Sequence, residues 1–74
     1  MVDYYVRIRN LREDNDESQE SLAALLEVSQ RTVSSLERGL TPLKYNDFIK
    51  LAEHFNVSLA YLAGFTDRKG KFPE

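Results

Sequence analysis

Helix-breaking residues are almost absent from the first 60 positions of this chain. It has three glycines and two prolines, and only Gly39 and Pro42 come before residue 64. Glycine and proline are the residues that most strongly interrupt regular secondary structure. A stretch with so few of them predicts an all-α fold in which short connections join the helices.

Apolar residues recur at helical spacing in successive stretches. The first stripe is Tyr4, Ile8 and Leu11, at i, i+4 and i+7, which is the pattern of an amphipathic helix. Polar residues that can cap helix N-termini stand before most stretches. The predicted N-caps are Asp3, Ser18, Ser29 and Ser58, the last before a short fifth helix over residues 59–63. The predicted inward residues are Leu22, Ala23 and Leu26 in the second helix, Val33 and Leu36 in the third, and Phe48, Leu51, Ala52 and Phe55 in the fourth. We expect Gly39 and Gly64 at helix ends and a tail over residues 65–74.

The composition restricts the class of protein. With 74 residues the chain predicts one domain, and without cysteine and with one histidine a disulfide framework or metal site is not expected. No apolar run approaches a membrane span, and the N-terminus lacks the pattern of a signal peptide. No catalytic set or phosphate loop is visible. We therefore expect a cytoplasmic protein that has no cofactor and is not an enzyme.

The segment Ser18–Gly39 holds the strongest local pattern. Two short amphipathic stretches are separated by four residues, Leu26-Glu27-Val28-Ser29, which is the connection typical of a helix-turn-helix. The second stretch presents Gln30, Arg31, Thr32, Ser34 and Ser35 on its outer face. An ordinary solvated face would more often carry Glu and Lys. Glutamine pairs well with adenine and arginine with guanine in the major groove, so this face predicts base reading.

The chain resembles the phage-repressor-like helix-turn-helix family, which is the Cro/repressor or XRE group. The resemblance covers roughly residues 7–67. The residues that carry it are Arg7-Ile8, Leu11-Arg12, Ser18-Gln19-Glu20, Leu22-Ala23, Val28-Ser29, Val33, Leu36-Glu37-Arg38-Gly39, Leu51-Ala52, Phe55-Asn56-Val57-Ser58-Leu59, Tyr61-Leu62 and Gly64.

The resemblance implies a compact five-helix, lambda-repressor-like domain over residues 1–64. It also implies a bacterial or phage regulator that binds double-stranded operator DNA, usually as a two-fold dimer on a near-palindromic site, and most simply a repressor that blocks polymerase. It gives base-reading roles to Gln30, Arg31 and Ser35. It gives backbone contacts to Gln19, Thr32, Arg38 and Lys44.

Two departures from the family pattern concern the turn and the charge. Glu27 stands where glycine is usual, and a left-handed backbone there would cost on the order of 1 kcal/mol. Four acids, Glu13, Asp14, Asp16 and Glu17, precede the first motif helix, and the net charge of the chain is −2. They should weaken attraction to DNA. The alternative function is therefore a protein-interaction module on the same fold, antitoxin-like or anti-repressor-like, with weak DNA affinity.

Some charged and apolar residues allow more than one interpretation. Arg7, Arg9 and Arg12 could flank DNA or could form a solvated helix face, and Glu37 with Arg38 is interpreted as a local ion pair. Several apolar residues are poorly explained by a monomer core, and the two alternatives for them are a homodimer interface and packing under the tail. The predicted dimer residues are Leu40, Leu43, Tyr61 and Phe65.

Overall fold

Five helices make up the regular structure of residues 3–73, which are the residues that the computed structural model describes. Their bounds are α1 Tyr4–Asp14, α2 Gln19–Leu26, α3 Gln30–Glu37, α4 Tyr45–Phe55 and α5 Leu59–Ala63. The connections between them are three to seven residues long, as the scarcity of helix breakers predicted. The all-α prediction and the helix order are confirmed.

The core lies where all five helices meet. Four large side chains, one from each of α2 to α5, have 1% or less of their surface exposed: Leu22, Val33, Leu51 and Leu62. Helix α1 adds Ile8 and Leu11 at 3% each. Full burial of an aliphatic side chain of this size is worth about 1.5–3 kcal/mol. Even α5, with five residues, is therefore fixed by its Leu62 contact with the core and not by helix propensity.

Serine caps set the start of three helices. The hydroxyl oxygens of Ser18, Ser29 and Ser58 each accept a hydrogen bond from the backbone N–H three residues later, as predicted. Asp3 occupies the N-cap position of α1, but its side chain makes no capping bond. Its Oδ2 instead accepts the Tyr5 hydroxyl at 3.1 Å, so the predicted capping role of Asp3 is wrong.

The turn between α2 and α3 has a left-handed residue at Glu27, the position where the family pattern usually has glycine. Glu27 has φ 58° and ψ 43°, and the Val28 N–H donates to the Ala23 carbonyl at 3.0 Å. That bond closes α2 and points the chain toward the Ser29 cap of α3. The Glu27 carboxylate extends into solvent, 3.6 Å from Lys50 Nζ on α4.

Arg7 joins α1 to the chain that follows α5. Its Nη1 donates to the carbonyls of Tyr61 and Thr66 at 2.9 and 2.6 Å, and its Nη2 lies 3.3 Å from Asp67 Oδ1. The guanidinium also lies 4.1 Å from the centre of the Tyr61 ring. Arg7 is 7% exposed, so both sequence-based interpretations of it, a DNA-flanking cation and a solvated residue, are wrong.

The segment 65–73 lies against the helical body. The Ser58 N–H donates to the Lys69 carbonyl at 2.8 Å, and the Phe72 side chain packs against the core. Phe72 N–H also donates to Asn56 Oδ1 at 3.4 Å. The contacts of Arg7 and Ser58 are what hold the predicted tail. A domain boundary at residue 64 stays a prediction, and residue 74 of that tail lies outside the described residues.

No helix within residues 3–73 combines the length and apolar character needed to cross a lipid bilayer.

Candidate nucleic-acid interface

The outer face of α3 is formed by the residues that the sequence singled out. Gln30 and Arg31 follow the Ser29 cap directly and are exposed, while Ser34 and Ser35 are half-buried one turn later. Arg31 and Ser35 are four residues apart and therefore share one face of the helix. Within residues 3–73, the side chains of Gln30 and Arg31 make no hydrogen bond or ion pair. Their donors and acceptors are available to a ligand.

Thr32 belongs to the cap as much as to the outer face. Its backbone N–H donates to Ser29 Oγ at 3.2 Å, and its hydroxyl lies 3.0 Å from the same oxygen. The predicted contact of Thr32 with the DNA backbone would therefore use a hydroxyl that is already paired with Ser29. This pair fixes the first turn of α3, from which Gln30 and Arg31 extend.

A buried ion pair holds α3 against α1. Arg12 Nε and Nη2 donate to the two carboxylate oxygens of Glu37 at 2.6 and 3.0 Å. The side chains are 13% and 2% exposed. The hydrogen bond to Glu37 raises the pKa of Arg12 above its ordinary value. Glu37 therefore pairs across the fold with Arg12, and the predicted local ion pair with Arg38 is wrong.

Gln19 at the start of α2 also binds the Glu37 carboxylate. Its Nε2 donates to Glu37 Oε1 at 3.1 Å, so one amide hydrogen is used internally and the second stays available. Arg12 Nη1 also donates to the Glu17 carbonyl at 2.9 Å, just before the Ser18 cap. The start of α2 is thus tied to both α1 and α3.

An open cleft of about 200 Å³, which we call the arginine cleft, lies beside this network. Its lining combines two of the predicted backbone contacts, Gln19 and Arg38, with four further residues from α1 and α3. The full lining is Arg9, Arg12, Gln19, Ser34, Glu37 and Arg38. Three of the six residues are arginines and one is a glutamate, so the lining has a net positive charge although the net charge of the chain is −2. Sequence reasoning left Arg9 and Arg12 undecided, because the packing of α1 on α3 was not visible in the periodicity.

Lys44 and Tyr45 form an exposed pair where α4 begins. Lys44 is the N-cap residue and has no side-chain capping bond, and Tyr45 is 71% exposed. Lys44 is therefore open to solvent, as a backbone contact requires. Tyr45 was not predicted as a site residue. Its place outside the apolar stripe that begins at Phe48 was the sequence signal that its ring would be exposed.

The four predicted dimer residues divide into two kinds. Leu40 and Phe65 are 66% and 76% exposed, which is high for large apolar side chains. Leu43 and Tyr61 are half-buried and pack against the core. Leu43 and Tyr61 are thus partly explained within the monomer, and Leu40 and Phe65 are not.

The acidic segment before α2 is partly neutralised within the protein. The two carboxylate oxygens of Glu17 lie 2.7 and 2.9 Å from His54 Nε2, which ties the segment to α4. Ser21 Oγ donates to Glu17 Oε1 at 3.3 Å. Glu13 Oε2 lies 3.4 Å from Arg9 Nε on the exposed side of α1. Asp16 is exposed, with φ 54°.

Comparison with known proteins identifies this arrangement. A family model described as helix-turn-helix matches residues 8–62, which span α1 to α5. No curated protein and no solved structure matches the chain. The family is one of DNA-binding transcription regulators, and its match covers the arginine cleft and the whole outer face of α3. The chain therefore belongs to the helix-turn-helix family of Cro/repressor-like, or XRE-type, DNA-binding domains.

Proposed function

We propose that this protein is a sequence-specific repressor that binds a near-palindromic operator as a homodimer and excludes polymerase. It would act in the cytoplasm, where bacterial or phage DNA is transcribed, without catalysis or cofactor. The observation that carries the proposal is the exposed polar face of α3, with Gln30 and Arg31 unpaired within residues 3–73. In this class of motif the N-terminal residues of the second helix contact base edges in the major groove.

The backbone contacts would flank that face. Lys44 is exposed at the start of α4, and Gln19 and Arg38 line the arginine cleft. Contacts of this kind fix the register of a protein on the duplex and carry no sequence information directly. Gln30, Arg31 and Ser35 would then supply the sequence preference.

Base reading is tested by Arg31→Ala, measured by fluorescence polarisation on duplexes from the region upstream of the coding sequence. We expect a loss of about 1–3 kcal/mol on the specific site and a flatter preference at one or two base pairs. Arg68→Ala is the matched control, because it removes the same charge from the exposed C-terminal segment. If Arg31→Ala and Gln30→Ala both keep full specificity, α3 does not read bases.

The dimer is supported by Leu40 and Phe65, whose exposure the monomer does not explain. One recognition helix reads few base pairs, and two copies would place half-sites about 34 Å apart, which is one turn of DNA. We expect sedimentation to give two proteins per palindromic duplex and Leu40→Asp to weaken that complex. Asn10→Asp, which adds the same charge to the exposed side of α1, should weaken it less. One protein per duplex, with Leu40→Asp binding as wild type, contradicts the dimer.

The sign of regulation needs its own measurement. Transcription in vitro from a promoter that overlaps the operator should fall as the protein is added, because occlusion removes polymerase from the promoter. Increased transcription would make the protein an activator. The acidic residues Glu13, Asp14 and Asp16 favour the second candidate, a protein-interaction module with weak DNA affinity. That candidate predicts only weak binding to any duplex, with no preferred sequence.

A further inference from the structure

We infer that Arg9 on α1 is an additional contact to the DNA backbone and that Glu13 competes with the phosphate for it. This inference rests on the proposed function, because it places a DNA phosphate in the arginine cleft beside α3. Arg9 is exposed and lines that cleft together with Gln19 and Arg38.

The cationic groups in the cleft that are not held by a buried partner are the guanidinium groups of Arg9 and Arg38. The Arg12 guanidinium is occupied by Glu37 and the Glu17 carbonyl. Within residues 3–73, the Arg38 side chain makes no hydrogen bond or ion pair. Arg9 uses only its Nε, in one long contact of 3.4 Å to Glu13. A guanidinium carries five N–H donors, so most of those on Arg9 face no protein acceptor.

The chemistry of the lining selects an oxyanion. Arginine recognises phosphate through paired N–H donors, and the Ser34 hydroxyl can donate to the same group. The cleft holds the volume of several water molecules, at about 30 Å³ each, so it admits a phosphate group with some of its hydration. In the proposed function α3 lies in the major groove, and Gln19, which lines the same cleft, contacts the adjacent DNA backbone. The ligand is therefore a backbone phosphodiester.

Glu13 restrains this contact without preventing it. Both partners of the Arg9–Glu13 pair are more than half exposed, at 59% and 52%, and exposed pairs of this kind contribute little to stability. An arriving phosphate therefore displaces Glu13 from Arg9 at small cost. The displaced carboxylate stays close to the phosphate and repels it. Removal of the Glu13 charge should then strengthen binding more while Arg9 is present, because it also frees the guanidinium for the phosphate.

The test is the salt dependence of binding to a labelled palindromic duplex, measured by polarisation between 50 and 200 mM salt. The variants are Arg9→Gln, Glu13→Gln, the double variant, and Lys71→Gln as a control that removes one positive charge from the C-terminal segment. One phosphate contact corresponds to a slope of about 0.9 in log affinity against log salt. Because the proposed homodimer carries two copies of Arg9, we expect Arg9→Gln to lower the slope by about 1.8, which is about 12-fold over this salt range. Lys71→Gln should leave the slope unchanged.

The second half of the experiment isolates Glu13. We expect Glu13→Gln to raise affinity about threefold in the wild-type background and to raise it less in the Arg9→Gln background. Equal gains in both backgrounds overturn the competition. If the wild-type protein binds the duplex but the salt slope of Arg9→Gln equals that of Lys71→Gln, the contact of Arg9 with the phosphate is overturned. If the wild-type protein binds no duplex in a salt-dependent way, the proposed function fails instead. Thermal unfolding of each variant verifies that it is folded.

Discussion

The Arg12–Glu37 pair gives the sharpest prediction about stability. Glu37 has a 2% exposed side chain, and its carboxylate accepts two hydrogen bonds from the Arg12 guanidinium and one from Gln19. Arg12→Met keeps most of the side-chain volume and removes the positive charge. Breaking a buried ion pair in this way costs about 3–5 kcal/mol, because an uncompensated charge is left in the interior.

That loss is large for a domain of this size. At about 0.05–0.15 kcal/mol per residue, 74 residues correspond to a free energy of unfolding of about 4–11 kcal/mol. Glu37→Gln should cost less, about 1–3 kcal/mol, since the amide oxygen still accepts and Arg12 retains some exposure to water. The double change Arg12→Met, Glu37→Met removes both charges together. It should lie far closer to wild type than the sum of the single variants, because no buried charge is left unpaired.

Urea denaturation of wild type, Arg12→Met, Glu37→Met and the double variant measures these differences as a double-mutant cycle, and Glu37→Gln is measured beside them. If Arg12→Met fails to fold, the comparison of Glu37→Gln with the double variant still tests the reasoning. A loss below about 1 kcal/mol for Arg12→Met would refute it. Such a result would mean that solvent reaches the Glu37 carboxylate and replaces the guanidinium.

Two further predictions concern local backbone geometry, and a third concerns the titration of Tyr5. Glu27→Gly should raise the free energy of unfolding by about 0.5–1 kcal/mol, because φ is 58° and the lost exposed contact with Lys50 contributes little; a lower urea midpoint would contradict this. Gly39→Ala should lower it by about 1–3 kcal/mol, because φ is +73° and the new Cβ would lie 2.8 Å from the Tyr5 ring. Tyr5→Ala should relieve the steric part of that loss, and equal losses in both backgrounds would leave only backbone strain. The hydrogen bond to Asp3 raises the pKa of Tyr5 above 10.0, so its contribution to stability is full below pH 10.0 and is lost as the pH rises through the raised value. An NMR titration should show that Asp3→Asn lowers the pKa of Tyr5, and an unchanged value would mean that the hydrogen bond is absent in solution.

The helices and their order could be predicted because their signals are local. The stripe Tyr4, Ile8 and Leu11 is read within two or three turns, and the Ser29 cap within three residues. The left-handed conformation of Glu27 was raised only as a condition, by the family pattern that usually has glycine there, and the structure shows it. The family resemblance added the expected roles of site residues, which remain predictions.

The partners of the charged side chains could not be predicted in the same way. Arg7, Arg9 and Arg12 lie within two turns of one helix, and the sequence assigned them the same two alternatives. In the structure Arg7 is buried and holds the segment after α5, Arg12 is paired with Glu37, and Arg9 faces the open cleft. Likewise Glu37 was assigned to its neighbour Arg38, although its partner lies 25 residues earlier.

The sequence by itself thus determined which residues form helices, where most of those helices begin, and which face of each is apolar. These properties depend on side chains a few positions apart along the chain. Only the tertiary structure decided which arginine is buried, which is paired and which is open to a ligand. The reason is that a charged side chain is stabilised by whatever group the packing brings within about 3 Å of it, and that neighbour is fixed by the way in which the helices cross.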